Sequence, residues 1–307
     1  MFPNFTVKSS VSIIILNWNG WKHTRACLES LLKGGFSESD IIIVDNASID
    51  DSILNIKRSF KSVHLIENKV NEGFTGGNNA GIQYALARGY EYILLLNNDT
   101  IVSPGFCQLL VAEMRKFDNL AAIQPLIYCM EPSSQIWNAG GNYHGWLGYS
   151  QTNLQLLDKN PYSTGWITGC AIMVRAAILE EVGLLDNSYF AYFEDVDWSL
   201  RMRRWGYDLK VHPQAVIYHE AGAASKSESK GSEGILDPKV HFLNVRNQIF
   251  QLRKYCRYPK DWLAWPFHFT KFGLFILYFL IRGRRIKGKA VINGILEGLR
   301  TPLKTNK

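Results

Sequence analysis

The chain of 307 residues is 47% hydrophobic and 20% charged, enough apolar material for one large domain with an appendage and too much for a disordered chain. Its net charge of +7 is unevenly placed: residues 239–307 carry 15 Lys+Arg against 2 Asp+Glu, which leaves 19 against 25 for residues 1–238 and net charges of +13 and −6. A basic tail interleaved with apolar and aromatic residues fits a membrane surface better than a nucleic-acid groove, so no nucleic-acid partner is expected.

The start, MFPNFTVKSS, leads into an apolar run that breaks at Asn17, too short and wrongly flanked for a secretory signal. Five scattered cysteines without a CxxC pair indicate neither a disulfide framework nor a cysteine zinc site. The bulk of the chain is therefore expected on the cytoplasmic side, at the inner face of the membrane if the tail attaches there.

Four segments, SIIILN (12–17), IIIVDN (41–46), VHLIEN (63–68) and YILLLNND (92–99), are near-continuous apolar runs ending in polar residues. Such runs read as strands buried on both faces of a parallel sheet. Helical patterns at 21–32, 51–60 and 77–88 lie between them, and Ser103-Pro104 marks a further helix start with proline first. The alternation predicts an α/β, Rossmann-like half whose ligands sit beyond the carboxyl ends of the strands. There the polar residues gather: Asn17 and Asn19, Asp45 and Asn46, then Asn97, Asn98 and Asp99. Turn and cap preferences explain each one but not the repetition.

The turn after the first strand, NWNGWKHT, has one glycine, and no Walker lysine motif occurs, which disfavours a dinucleotide fold and a P-loop. The glycines of NEGFTGGNNAGI bring backbone close to a ligand or merely turn the chain. Asp99 is either a strand-end cap or part of a Mg²⁺ site completed by substrate phosphates.

Glycines among aromatics at 121–163 predict hairpins. GWITGCAIMVRAAILEEVG reads as a buried strand to Val174 and a short helix ending at Gly183. FAYFEDVDWSLRMRRWGY follows, with Glu194, Asp195 and Asp197 in four positions. As plain structure it is an amphipathic helix with acids in its first turn and an Asp197–Arg201 pair, with stripes of Val196 and Leu200 and of Trp198, Met202 and Trp205, closed near Gly206. As chemistry it supplies a base. LKVHPQAVIYHE gives a short strand, and AGAASKSESKGSEG is a linker or a substrate-ordered lid. In WLAWPFHFTKFGLFILYFLI only 272–281 is wholly apolar before Arg282, Arg284, Arg285, Lys287 and Lys289. The pattern favours an interfacial helix over a spanning one; a helix packed on the catalytic domain or in a dimer contact is the plain alternative.

SIIILNWNG, VDNASIDDS, NEGFTGGNNAGI, LLLNNDT, ITGCAIMVR, FEDVDWSLRMRRWGY and IYHEAG resemble, in that order, the motifs of family 2 glycosyltransferases of the GT-A fold, especially the rhamnosyltransferase and galactofuranosyltransferase-like branch. The resemblance implies a mixed, mostly parallel sheet flanked by helices in a catalytic domain over 1–238, with a nucleotide half at about 1–120, an acceptor half at about 121–238, and a helical membrane-associating extension over 239–307. It implies that Asp45 bonds the donor base, with Asn17, Asn19, Asn46, Gly76, Asn78 and Asn79 lining the nucleotide-sugar pocket. LNND at 96–99 resembles the DxD motif, with Asp99 as metal ligand, Asn97 where many members have aspartate, and Asn97, Asn98 and Asp99 all expected at the nucleotide-sugar. Asp195 matches the catalytic base, Glu194 and Asp197 its supporting acids, and His219 the second ligand of a Mg²⁺ or Mn²⁺ ion. Arg246 and Asn247 are expected to contact an acceptor diphosphate.

The function implied is inverting, metal-assisted transfer of one sugar, rhamnose from dTDP-rhamnose first among donors, to a lipid-linked or oligosaccharide acceptor of a cell-surface glycan; oligomerisation stays open. RMRRW at 201–205 lacks the glutamine of the processive QxxRW signature, which favours single transfer. The rivals are a nucleotidyltransferase on sugar phosphates and a silent membrane-binding relative.

Overall fold

The computed structural model describes residues 10–220, 236–257 and 259–303; the segment expected as linker or lid, 221–234, lies outside the described residues. The chain begins β1 (Val11–Asn17), α1 (Trp21–Lys33), β2 (Ile41–Asp45), α2 (Ser52–Ser59), β3 (His64–Glu67), α3 (Gly73–Ala87) and β4 (Tyr92–Asn97), the alternation expected from the sequence. β1 pairs in parallel with β2 and with β4, and β2 with β3. Successive side chains alternate between two cores: Ile13, Ile15, Leu94 and Leu96 face one, Ile14, Ile93 and Leu95 the other, as the two-residue period of a doubly covered strand requires. β3 differs from expectation: it is the sheet edge, and its residues are half-buried or exposed.

α3 begins at Gly73, four residues before the predicted start, because its glycines are packing residues. A Cβ on Gly81 would stand 2.6 Å from Ile14 Cγ2, and one on Gly77 2.3 Å from Leu16 Cδ1, so the bare backbone lets the helix lie directly on β1. Of the two roles open for this segment, close approach holds, but to the sheet.

The second half adds β5 (Thr100–Val102), α4 (Phe106–Lys116), β6 (Leu120–Cys129), β7 (Ile136–Asn138), β8 (Gly141–His144), β9 (Tyr149–Thr152), β10 (Tyr162–Ser163), β11 (Ala171–Arg175), α5 (Leu179–Val182), α6 (Glu194–Arg204) and β12 (Asp208–His219). α4 starts after left-handed Gly105, not at Pro104. The main sheet runs β10-β12-β6-β11-β4-β1-β2-β3, with β5 on β12 and β7 on β6. β11 is antiparallel to β4 and β6, whereas β12 runs parallel to β6, so the sheet is mixed, with β1 to β4 as its parallel block. The predicted short strand before His219 is 12 residues long, irregular between His212 and Val216; its last residues pair with β5 and bring His219 opposite Thr100. β8 and β9 form the expected hairpin.

Three helices close the chain: α7 (Pro238–Tyr255), α8 (Ala264–Ile281) and α9 (Arg285–Arg300). Val245, Ile249, Phe272, Phe279 and Val291 make a small core of their own. α7 and α9 approach closely, for a Cβ on Gly294 would meet Phe242 O at 2.7 Å and one on Gly298 would meet Ile249 Cβ at 2.9 Å. All five cysteines are free thiols.

Candidate active site

The register of the sheet decides which polar residues meet. Asn17 lies beside Asp45 at the ends of β1 and β2, and Leu16 beside Asn97 at the end of β4. β11 runs the other way, so its approach, not its end, reaches the same edge: Asn97 N donates to Cys170 O at 2.8 Å. One residue earlier, Gly169 N donates to Asp195 Oδ2 at 2.9 Å. Gly169 and Cys170 thus connect the carboxylate at the start of α6 to the end of β4, and both Asp99 and Asp195 raise the Cys170 thiol pKa electrostatically, after burial itself.

Asp45 is fully buried and takes two hydrogen bonds, from Asn17 Nδ2 at 2.7 Å and Ser48 N at 2.8 Å. Thr24 Oγ1 donates to Asn17 Oδ1 at 2.6 Å and accepts from Asn98 Nδ2 at 2.9 Å. Asn19, left-handed at φ 48°, accepts from Ile49 N at 2.8 Å while its own N–H reaches Ser48 Oγ at 2.8 Å. One chain of hydrogen bonds therefore ties the turns after β1, β2 and β4. Ser48 and Thr24, its linking hydroxyls, were not singled out in the sequence, although Ser48 lies within the VDNAS motif.

Other expected pocket residues turn inward. Asn46 bonds Asn71 Oδ1 and Gly73 O and receives Asn68 Nδ2 and Glu72 N. Asn79 donates to Leu185 O and Asn187 Oδ1 and accepts from Leu185 N, tying α3 to the loop after α5. Asn78 donates to Phe74 O, and Gly76 admits the side chain of Glu72, whose Cβ would lie 2.6 Å from an added Cβ. The three amides are thus spent on bonds within the protein.

Asp99 and His219 come together: Asp99 Oδ1 and His219 Nε2 are 3.1 Å apart, the side chains 11% and 6% exposed. Apart from this contact Asp99 Oδ1 has no partner, which is costly for a buried carboxylate oxygen and fits a cation that it would hold together with His219 Nε2. Trp137 stands edge-on to the imidazole at 4.4 Å. Among the described residues no group of three His, Cys, Asp or Glu side chains converges, so the protein offers one carboxylate and one imidazole, a set that suits a divalent cation finished by phosphate and water.

The three acids of α6 separate by environment. Asp195 is half-buried and receives Gly169 N and Val196 N; burial raises its pKa, against those hydrogen bonds. Glu194 is buried, its Oε2 has no partner, and burial followed by repulsion from Asp195 holds its pKa well above the usual range. Asp197 is fully buried and fully engaged, by Arg201 Nε at 2.9 Å, Lys254 Nζ at 2.9 Å and Tyr255 OH at 2.8 Å. It anchors the helix, as the pairing with Arg201 predicted, and has no lone pair facing a substrate. Val196, Trp198 and Met202 are buried as expected, but Trp205 is 53% exposed.

The loop before Asp195 is strained. Phe190, Tyr192 and Phe193 have φ of 63°, 73° and 70°, each a conformation costing about 1–2 kcal/mol for a residue with a Cβ. Ala191 N donates to Tyr189 O at 2.7 Å across Phe190, the rare form of γ-turn. Arg246 and Asn247, expected at an acceptor diphosphate, face this loop instead. Asn247 is fully buried, with its amide donating to the carbonyls of Tyr189, Ala191 and Tyr192 at 2.7–3.0 Å. Arg246 reaches Ser188 O, Tyr189 O and Glu297.

Known proteins resemble the chain in sequence and in fold. The family model Glycosyl transferase family 2 matches residues 12–183. A low-salt glycan biosynthesis hexosyltransferase of Haloferax volcanii is 28% identical over 80% of this chain and 78% of its own. A dTDP-rhamnosyl transferase of Shigella flexneri is 26% identical over 81% of each, and an N-acetylglucosaminyl-diphospho-decaprenol L-rhamnosyltransferase of Mycobacterium tuberculosis is 23% identical over 70% and 77%. Among solved structures, GalNAc-T7 with UDP, GalNAc and Mn²⁺ superposes with a TM-score of 0.62 at 17% identity, over 82% of this chain and 49% of that protein.

Proposed function

The chain belongs to glycosyl transferase family 2, and from that premise we propose that it transfers a single sugar, with inversion, from a nucleotide-sugar donor to a glycan acceptor, with Asp195 as the base. The observation that carries this is the half-buried Asp195 carboxylate held by Gly169 N, beside the Cys170 carbonyl that Asn97 N bonds. Burial raises the Asp195 pKa, and a carboxylate of raised pKa is a stronger base than a free one. Asp195 would take the proton of the acceptor hydroxyl as that oxygen bonds to the anomeric carbon and the bond from carbon to the diphosphate oxygen breaks. The sugar goes to the acceptor, the nucleoside diphosphate leaves, and Asp195 later gives its proton to water.

On this reading Asp45, Asn19 and Asn98 hold the nucleotide at the strand ends, with the fully buried Asn17 fixing Asp45, and Asp99 with His219 would hold a divalent cation. When bound, the cation would offset the charge gathering on the leaving diphosphate. The dTDP-rhamnosyl transferase among the relatives supports rhamnose as the first donor to try.

The acceptor is proposed to be lipid-linked and met at a membrane. α8 has mean hydropathy 1.3 over 18 residues and is 22% buried; its 18 residues span about 27 Å, just short of the roughly 30 Å hydrocarbon layer. One face packs on the protein through His268 and Phe272, while Leu274, Leu277, Leu280 and Ile281 are 53–75% exposed. That one-sidedness suits a helix lying in the interface at the inner face of the membrane, with Arg282, Arg284, Arg285 and Lys289 meeting anionic headgroups. An apolar hollow of about 510 Å³ between α8 and the turn at Leu147 suits a hydrocarbon chain rather than a nucleotide.

The test is a panel of nucleotide sugars with Mg²⁺ or Mn²⁺, scored for cation-dependent protection against melting and for nucleoside diphosphate release. Release of pyrophosphate from a nucleoside triphosphate would point to nucleotidyl transfer, and absence of any turnover with every donor would leave the reading without support.

A further inference from the structure

Six consecutive carbonyls, Ser188 to Phe193, all carry hydrogen bonds although the segment is neither helix nor strand throughout. Ser188 O and Tyr189 O accept from Arg246; Tyr189 O, Ala191 O and Tyr192 O from Asn247; Phe193 O from Gln251 at 3.2 Å. Phe190 O, the one not served by α7, accepts from Thr75 N at 3.1 Å, in the first turn of α3. Gly73 is required there, for a Cβ would stand 2.4 Å from Phe190 O. Three of these residues have left-handed φ, and the next two positions are Glu194 and Asp195. A backbone held in sparsely populated conformations persists only when its surroundings over-determine it, and such strain gathers at functional sites.

We infer that Asn247, assisted by Arg246 and Gln251, is a positioning residue for sugar transfer: its amide locks the strained 189–193 backbone that sets where the Asp195 carboxylate stands. The inference rests on the reading of Asp195 as the base. Asn247 touches no reacting atom; with its side chain fully buried and both amide hydrogens spent on backbone carbonyls, it acts through the loop. Arg246 does the same from the rim, where Glu297 on α9 takes its other nitrogen at 3.1 Å. Proper placement of a base within about half an ångström is a kinetic requirement, not a binding one, so losing the amide lowers turnover while donor binding at the strand ends persists.

The experiment is a double-mutant cycle on the full chain with the donor that the wild type turns over. Asn247→Ala is expected to lower kcat at least tenfold with the donor and acceptor KM within twofold. Glycine adopts left-handed φ without strain, so in a Tyr192→Gly background the same Asn247→Ala step is expected to cost threefold or less. A folded Asn247→Ala with unchanged kcat, a raised acceptor KM at constant kcat, or an equal loss in both backgrounds would each overturn the inference; the second would restore the acceptor contact. If Asn247→Ala fails to fold by circular dichroism, Arg246→Lys and Gln251→Leu are judged by the same split between kcat and KM. Asp195→Asn, run alongside, separates the premises: full turnover there removes the base assignment, whereas its loss beside an unaffected Asn247→Ala removes the positioning role alone.

Discussion

Asp195 and Glu194 are neighbouring acids that burial holds above the ordinary carboxylate range, with repulsion from Asp195 adding to the shift of Glu194. Asp195→Asn keeps the size and can still accept from Gly169 N, so donor affinity and thermal stability are expected to stay near wild type while transfer falls by at least 10³-fold, within the usual span for a lost base; retained turnover in a steady-state assay would refute the role. On the proposed reading Asp195 works only when ionised, so kcat/KM is expected to fall as pH drops through its pKa, and burial places that limb above the ordinary carboxylate range. Glu194→Gln removes a buried acid with an orphaned oxygen and, because burial and not Glu194 raises the Asp195 pKa, should leave the limb in place. It also bears on stability. Between the ordinary and the raised pKa the folded state binds more protons than the unfolded chain, so these acids cost stability as pH rises through that window. Above it, Glu194→Gln is expected to raise Tm by roughly 2–4 °C, the shift that about 1 kcal/mol makes in a large domain, read by differential scanning calorimetry. Asp45, Asn17, Asp99 and Asp195 were legible in the sequence because ordered motifs carry them. Ser48, Thr24 and Gly169 were not, since a hydroxyl or a backbone N–H shows its partner only once strands are in register. Asn17, Asn46 and Asn79 all spend their amides inside the protein, a side-chain direction that no motif spells out.

α3 shows how a helix can be written against its own propensity. Alanine favours a helix over glycine by about 1 kcal/mol, yet at position 81 the added methyl would press on Ile14 and Val44, β-branched and fully buried side chains with little freedom to turn. Gly81→Ala is therefore expected to destabilise the protein by about 1–3 kcal/mol, measured by urea unfolding; a more stable variant would mean that helix and sheet separate easily. The first four strands were legible because apolar runs bounded by turns leave few options. The early start of α3 and the full length of β12 were not: glycines mask helical periodicity, and β12 is broken by Pro213 within the register shift and serves three neighbours in succession.

At the scale of the whole molecule, the C-terminal helices divide into a part the enzyme needs and a part it shows to its surroundings. A deletion of 262–307 would strip α9 from α7 and expose Val245 and Ile249, confounding attachment with folding. Leu277→Lys with Ile281→Lys alters only exposed side chains, so Tm should hold while co-sedimentation with anionic phospholipid vesicles drops at least fivefold; equal co-sedimentation would remove the interfacial reading of α8. The basic, apolar tail was legible as composition. Its division of labour was not, because the residues that α7 turns toward the loop and those it turns toward α9 look alike on paper.

That double commitment of α7 governs where the molecule can be cut and rejoined. One side of the rod grips the loop before Asp195, while the other is pressed against Gly294 and Gly298. A chimera that borrows a relative's tail must splice after Tyr255, leaving the rod with its native host and matching the incoming α9 to it, because a junction at residue 238 would import a foreign grip on the loop that leads into Asp195 along with the new tail.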